Sequence, residues 1–148
     1  MRVVGVDYGE ARTGVAVSDL LGFMAHGVKT VSSSGAKNTA NEVGKIAKHY
    51  KAGIIVVGLP KNMNNTLGER GEATLKFVRL LKEVVSCEVV TWDERLTTVS
   101  AANILNETDT KGKKRKAVID TVAAEIILQS YLDYKKQEIA KREENHER

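Results

Sequence analysis

The feature that most constrains the fold is an uninterrupted apolar run at residues 54–57, IIVV, which ends in Gly58, Leu59 and Pro60. A strand with one face in water alternates apolar and polar residues, whereas a strand covered on both faces is apolar throughout. We therefore expect this run to be an inner strand of a sheet that carries helices on both faces.

The segments around this run alternate between strand and helix patterns. Strands are predicted from Val-rich or apolar segments at Arg2–Asp7, 13–19, 27–32, 54–57 and 88–92. Helices are predicted from apolar residues at helical spacing at 36–50, 73–84, 99–105 and 119–131. Gly53 is expected as a helix C-terminal glycine, and 106–116 as a mobile loop. This order predicts an α/β fold with a mixed five-stranded sheet and helices on both faces.

Length and composition indicate one globular domain. The 148 residues are 42% hydrophobic and 28% charged, which suits a single core. We expect the domain to cover residues 1–138 and the charged residues 139–148 to form a frayed tail. No apolar stretch reaches the roughly 20 residues of a membrane span, and Cys87 has no partner for a disulfide. A cytoplasmic protein without a membrane partner is expected.

Acidic residues follow the predicted strands at the edge where an α/β sheet binds its ligands. Asp7 ends the first strand, and Asp93 and Glu94 end the last one. The carboxyl ends of parallel strands share one edge of a sheet, so these side chains can converge. Successive strand residues face opposite sides, so only one of the last two carboxylates shares a side with Asp7, and we favour Glu94.

A third carboxylate, Asp120, is predicted one turn into the final helix. Small residues beside it, Ala123 and Ala124, let a helix lie close to a sheet. Three carboxylates in one place repel each other unless cations lie between them, and oxygen-only ligands favour Mg²⁺ or Mn²⁺. Such ions can activate water for phosphodiester hydrolysis. The alternative for each acid taken singly is a turn-forming residue at a strand end.

Four motifs occur in the order of a known family. They are VDYGEARTGVAVSD at 6–19, GLP at 58–60, WDERLTT at 92–98 and DTVAAEIILQ at 120–129. Together they resemble the YqgF family, whose members are assigned as Holliday junction resolvases or as pre-16S ribosomal RNA nucleases. The resemblance spans nearly the whole chain. The ordered set is more specific than its first motif alone, which also resembles the phosphate loop of actin-like ATPases.

The resemblance implies a ribonuclease H-like fold with a metal-dependent acidic site. It maps the catalytic and metal-binding positions onto Asp7, Glu94 and Asp120. Bacterial resolvases of the related fold have four carboxylates in this site, whereas this chain has no second acid within one turn of Asp120. We take Asp93 or water as the candidate for the fourth ligand.

Basic and amide side chains flank these carboxylates and are candidates for binding phosphates. The set comprises Arg12, Lys61, Asn62, Arg95, Lys113, Lys114, Arg115 and Lys116. The last four belong to a basic segment, residues 111–116, that leads directly into the helix of Asp120. This adjacency favours a nucleic-acid contact over the alternative of a solvated charged loop.

The lead hypothesis is a nuclease, dependent on Mg²⁺ or Mn²⁺, that acts on structured RNA or branched DNA. Maturation of pre-16S ribosomal RNA, on ribosomal precursor particles, is favoured over junction cleavage. Symmetric junction cleavage needs a stable dimer, and the sequence suggests a monomer or a weak dimer. Two alternatives stay open: a non-enzymatic nucleic-acid binder such as a transcription factor, and an ATP-binding fragment. The fragment is the weaker one, because such ATPases bind nucleotide between two related domains.

Overall fold

The computed structural model describes residues 1–32, 34–96 and 113–146, with the side chains of 121–145 in the last range. The strands of this part of the chain are β1 (Arg2–Asp7), β2 (Arg12–Ser18), β3 (Ala25–Ser32), β4 (Ala52–Leu59) and β5 (Glu88–Asp93). Its helices are α1 (Ala36–His49), α2 (Glu69–Val84) and α3 (Lys113–His146), and a short 3-10 turn (Glu94–Leu96) follows β5. None of the described helices has the length and apolar character needed to cross a lipid bilayer.

The strands form one mixed sheet in the order β3-β2-β1-β4-β5. β2 is antiparallel to both β1 and β3, while β4 is parallel to β1 and β5 is parallel to β4. The predicted mixed five-stranded sheet is therefore confirmed, with the apolar run 54–57 inside the inner strand β4. Because β1, β4 and β5 run in the same direction, their carboxyl ends at Asp7, Leu59 and Asp93 lie at one edge of the sheet.

Helices cover both faces of this sheet, as the sequence predicts. On one face, Val4 packs with residues of α1 and α2 such as Val43 and Phe77. On the other face, Val3 packs in a second cluster with Leu128 of α3. Since successive residues of a strand face opposite sides, the odd-numbered residues of β1 face α3.

α3 lies close to the sheet because glycines of two strands lie beneath it. A Cβ atom on Gly5 would be 2.6 Å from Cβ of Leu128 and 3.1 Å from the carbonyl oxygen of Ala124. A Cβ atom on Gly27 would be 2.6 Å from Oε1 of Glu125. A larger residue at Gly5 would therefore push the helix away from the sheet. The small residues of the helix are evident in the sequence, whereas the role of the glycines that face them is evident only in the fold.

The structure differs from the sequence prediction at several element boundaries. Gly53 lies inside β4, and the left-handed residue after α1 is Lys51, with φ of 54°. Residues 113–116 belong to α3 rather than to a loop, and α3 continues to His146 through most of the predicted tail. The predicted helix at 99–105 lies outside the described residues, and the division into domain and tail stays a prediction.

Candidate active site

Asp7 and Glu94 line one cleft at the carboxyl edge of the sheet. The cleft is open to solvent and has a volume of about 360 Å³, and its other lining residues are Arg70, Ala123, Ile126 and Ile127. Asp7 lies on the same side of β1 as Val3, which packs in the cluster of α3. Glu94 comes two positions after Trp92, which belongs to the same cluster. The structure therefore brings Glu94, rather than Asp93, into the cleft of Asp7.

The carboxyl group of Glu94 is partly buried in the wall of this cleft. Burial raises its pKa above the ordinary value, Arg70 opposes that shift with its positive charge, and Asp93 adds to it. A Cβ atom on Gly58 would lie 2.5 Å from Cδ1 of Ile127 and 2.8 Å from Oε1 of Glu94. The glycine of the GLP motif thus leaves the room that both side chains occupy.

Asp93 is engaged by Arg95. Nη2 of Arg95 lies 2.6 Å from Oδ2 of Asp93, and Nε donates to both carboxylate oxygens at 3.0 and 3.1 Å. These hydrogen bonds, more than the charges of Arg95 and Lys61, hold the pKa of Asp93 below its usual value. Arg95 also donates to the carbonyl oxygen of Asn62 at 3.2 Å and to Oδ1 of Asn65 at 2.9 Å. Arg95 therefore fastens the loop after β4 to the end of β5.

Three other predicted phosphate-binding residues, Arg12, Lys61 and Asn62, differ in their exposure and in their hydrogen bonds. Asn62 closes the loop after β4, because its side-chain amide donates to Oγ1 of Thr66 at 3.1 Å and its backbone amide donates to the Thr66 carbonyl at 2.9 Å. Lys61 is half-buried in the same loop, and its charge acts on Asp93. Arg12 is exposed at the first position of β2. The basic side chains of Arg12 and Lys61 thus lie on segments next to Asp7 and Asp93. Asn62 has a structural role in its loop.

Asp120 and residues 113–116 fall within α3, but their side chains lie outside the described part of the chain. Among the described side chains, no group of three or more His, Cys, Asp or Glu residues is arranged to hold a metal ion, and Asp120 is not part of that set. Asp7 and Glu94 bring only oxygen ligands to an open cleft. This donor set fits a hard cation such as Mg²⁺ or Mn²⁺.

Arg70 lines the cleft but was not predicted from the sequence as a site residue. It is the second residue of α2, and its charge acts on Glu94. Its position in the sequence could have indicated this role, because the helix that follows the loop after β4 begins beside the sheet edge that is predicted to bind ligands. Anions are favoured at helix N-termini, so basic residues there merit inspection.

Comparisons with known proteins show which family the chain belongs to. A family model described as "RuvX: Holliday junction resolvase" matches residues 1–134. A protein of Thermoanaerobacter pseudethanolicus named "Putative pre-16S rRNA nuclease" is 48% identical over 137 residues, which cover 92% of this chain and 99% of that protein. A protein of Clostridioides difficile with the same name is 51% identical over 134 residues, which cover 90% of this chain and 95% of that protein.

The fold also resembles solved structures at low sequence identity. T. thermophilus RuvC in complex with a Holliday junction substrate has a TM-score of 0.66 at 14% identity, and the match covers 93% of this chain and 96% of that one. The resolvase of fowlpox virus has a TM-score of 0.54 at 13% identity, with 90% and 99% of the two chains covered. The predicted ribonuclease H-like fold is confirmed.

Proposed function

Because this chain belongs to the RuvX (YqgF) family, we propose that it is a divalent-metal-dependent nuclease that matures the 5′ end of pre-16S ribosomal RNA. The observation that carries the proposal is the meeting of Asp7 and Glu94 in one open cleft at the carboxyl edge of the sheet. Relatives 48% and 51% identical, which carry the pre-16S rRNA nuclease name, support this substrate. Ribosomal precursor particles are then the partner and the cytoplasm the place of action.

The proposed metal ligands are Asp7, Glu94 and Asp120. Asp120 precedes the cleft residues Ala123 and Ile127 by three and seven positions, a spacing that supports its inclusion because such residues share a helix face. We leave Asp93 out of the set, since Arg95 engages both of its oxygens. Water then stays as the candidate for the fourth ligand.

Each of these residues has a distinct role in the proposed reaction. Asp7, Glu94 and Asp120 would hold Mg²⁺ or Mn²⁺, which would supply Lewis-acid chemistry to the phosphate and to the attacking water. Asp7 and Glu94 fix the position of the ion by charge, and the open cleft admits both the substrate and water. Burial raises the pKa of Glu94, and a bound cation would favour its charged form. Basic residues around the edge, such as Arg12 and Lys61, attract the phosphodiester backbone.

Cleavage is expected to require the metal ion. Purified protein should cut a labelled RNA spanning the 5′ end of pre-16S ribosomal RNA in Mg²⁺ or Mn²⁺ and should stop cutting in EDTA. Ca²⁺ should support binding better than turnover, because its looser coordination positions water poorly. Undiminished cleavage in EDTA would contradict the proposed mechanism.

A second candidate function is Holliday junction cleavage, which the description of the matching family favours. A labelled four-way DNA junction in the same assay separates the two functions. Faster cleavage of the junction than of the RNA, by a protein that is dimeric in solution, would make resolution the better assignment. Metal-independent binding of both substrates without cleavage would instead indicate a nucleic-acid-binding protein.

The basic segment before Asp120 is expected to contribute to substrate affinity. Replacing Lys113, Lys114, Arg115 and Lys116 with Gln should weaken RNA binding and make its salt dependence shallower, since for single strands each phosphate contact contributes a slope of about −0.7. A matched control replaces four lysines near the C-terminal ends of α1 and α2, at the opposite sheet edge: Lys45, Lys48, Lys51 and Lys82. Equal salt slopes for wild type and the 113–116 variant would mean that the segment does not contact RNA.

A further inference from the structure

A second hollow adjoins the cleft of Asp7 and Glu94, and Arg70 lines both. The second hollow has a volume of about 190 Å³. It lies between the turn at Tyr8, Gly9 and Glu10 and the first two turns of α2. Arg70 thus stands at the boundary between the carboxylate cleft and a neighbouring recess.

The guanidinium group of Arg70 is available for a ligand. It is exposed, and within the described parts of the chain no carboxylate forms a salt bridge with it. Arg95, in contrast, has its charge matched by Asp93. The backbone of Arg70 is fixed, because Oγ1 of Thr74 donates to its carbonyl oxygen at 2.8 Å. No side chain caps the start of α2, so its backbone amides add to the attraction for an anion.

We propose that Arg70 binds the phosphate group being cleaved and that the second hollow takes the nucleoside on one side of it. This inference rests on the proposed nuclease function and deepens it. A guanidinium group holds phosphate through two parallel hydrogen bonds, and in the same cleft as the metal ligands it stabilises the charge that builds up in the transition state.

The charges lining the second hollow determine which part of the substrate it takes. Glu10 and Glu69 line it together with Tyr8 and Thr74. Carboxylates repel phosphate but accept hydrogen bonds from the hydroxyl groups of a sugar and the amino groups of a base. The hollow therefore suits a nucleoside, while the phosphate stays at Arg70.

The test compares Arg70→Gln, Arg70→Lys and Arg79→Gln, the last being an exposed arginine of the same helix outside both hollows. RNA binding is measured in Ca²⁺ by fluorescence anisotropy, and single-turnover cleavage is measured in Mn²⁺. Arg70→Gln should weaken binding about tenfold or more and slow cleavage, as expected for loss of hydrogen bonds to a charged group. Arg70→Lys should retain part of the binding and part of the cleavage rate, because lysine keeps the charge but cannot form two parallel hydrogen bonds. Arg79→Gln should match wild type in both measurements.

A substrate variant identifies the contact itself. Once the cleavage position is mapped with wild type, a methylphosphonate at that linkage removes one negative charge from the RNA. It should weaken binding by wild type more than binding by Arg70→Gln, because the variant has already lost the arginine contact and only the contact with the bound ion remains to be weakened. The same penalty in both proteins, or equal binding by Arg70→Gln and Arg79→Gln, would overturn the inference while wild-type cleavage stands. A wild type that neither binds nor cuts RNA would overturn the proposed function and this inference with it.

Discussion

Asp7→Asn is expected to lower the rate of the proposed metal-dependent cleavage by on the order of a thousandfold or more, the loss expected when several kcal/mol of transition-state stabilisation disappear. The substitution preserves the size of the side chain and removes the charge that would hold a cation beside Glu94. Asp120→Asn should have the same effect, because it removes another proposed ligand of the same ion. Single-turnover cleavage of the pre-16S RNA substrate in Mn²⁺ measures both losses.

Asp19 provides a matched control, since it is an aspartate with a structural role. It follows β2 at the end of the sheet opposite to Asp7, and its Oδ1 accepts a hydrogen bond from the backbone amide of Phe23 at 2.8 Å. That bond is the largest cause that lowers the pKa of Asp19. Asp19→Asn should lower the melting temperature slightly and leave cleavage unchanged. Equal losses of cleavage in Asp19→Asn and Asp7→Asn would contradict the role assigned to Asp7.

Gly5→Ala is expected to lower the free energy of unfolding by about 1–3 kcal/mol, the usual cost of overpacking a core. The new Cβ would meet Cβ of Leu128 at 2.6 Å and the carbonyl oxygen of Ala124 at 3.1 Å, so α3 must move away from the sheet. Asp120 lies on the same helix, so cleavage should fall as well. Chemical denaturation and the single-turnover assay measure the two effects.

Gly44→Ala makes the same substitution where the structure leaves more room. Its new Cβ would meet only side-chain atoms: Cγ2 of Val84 at 3.6 Å, an ordinary contact, and Cγ1 of the half-buried Val85 at 3.3 Å, which must shift by a few tenths of an ångström. Alanine stabilises a helix by up to about 1 kcal/mol relative to glycine. Stability should therefore stay the same or rise. A Gly5→Ala variant as stable as Gly44→Ala would contradict the close contact between α3 and β1.

The sheet and the convergence of two carboxylates could be predicted because both follow from local patterns. The apolar run 54–57 required cover on both faces, and strand alternation separated Asp93 from Glu94. The close contacts between α3 and the glycines of the sheet could not be predicted from local sequence patterns. Gly5 and Gly58 owe their importance to side chains of a helix more than 65 positions later in the sequence, and no local pattern specifies that packing.

Other features depended on how loops and turns fold. Substrate binding by Arg95 stays a prediction, but the sequence did not indicate that the loop after β4 returns to β5 and places Asn62 and Asn65 within reach of Arg95. Arg70 reaches the cleft because α2 begins beside it. The turn after α1 closes at Lys51, two residues before the glycine that the sequence suggested. Positive-φ turns can form without glycine when the surrounding structure fixes them, so glycine position alone misplaces the helix end.

The raised pKa of Glu94 gives the metal-free protein a specific pH dependence. As pH rises above 4.5, the ordinary value for this group, the unfolded chain loses the proton before the folded one does. The contribution of Glu94 to stability therefore falls as pH rises through the raised pKa of the folded state and is constant above it. Metal binding should offset this loss at neutral pH, because the ion binds the charged form.

Thermal melting of wild type, Asp7→Asn and Asp120→Asn, with and without Mn²⁺ at neutral pH, tests the three-carboxylate metal site most directly. In EDTA both variants should melt at or above wild type, because each loses one of three mutually repelling charges. Mn²⁺ at about 100 times its Kd should stabilise wild type by about 2.7 kcal/mol and the variants much less. If both variants melted well below wild type in EDTA and Mn²⁺ shifted none of the three proteins, the metal site would be wrong.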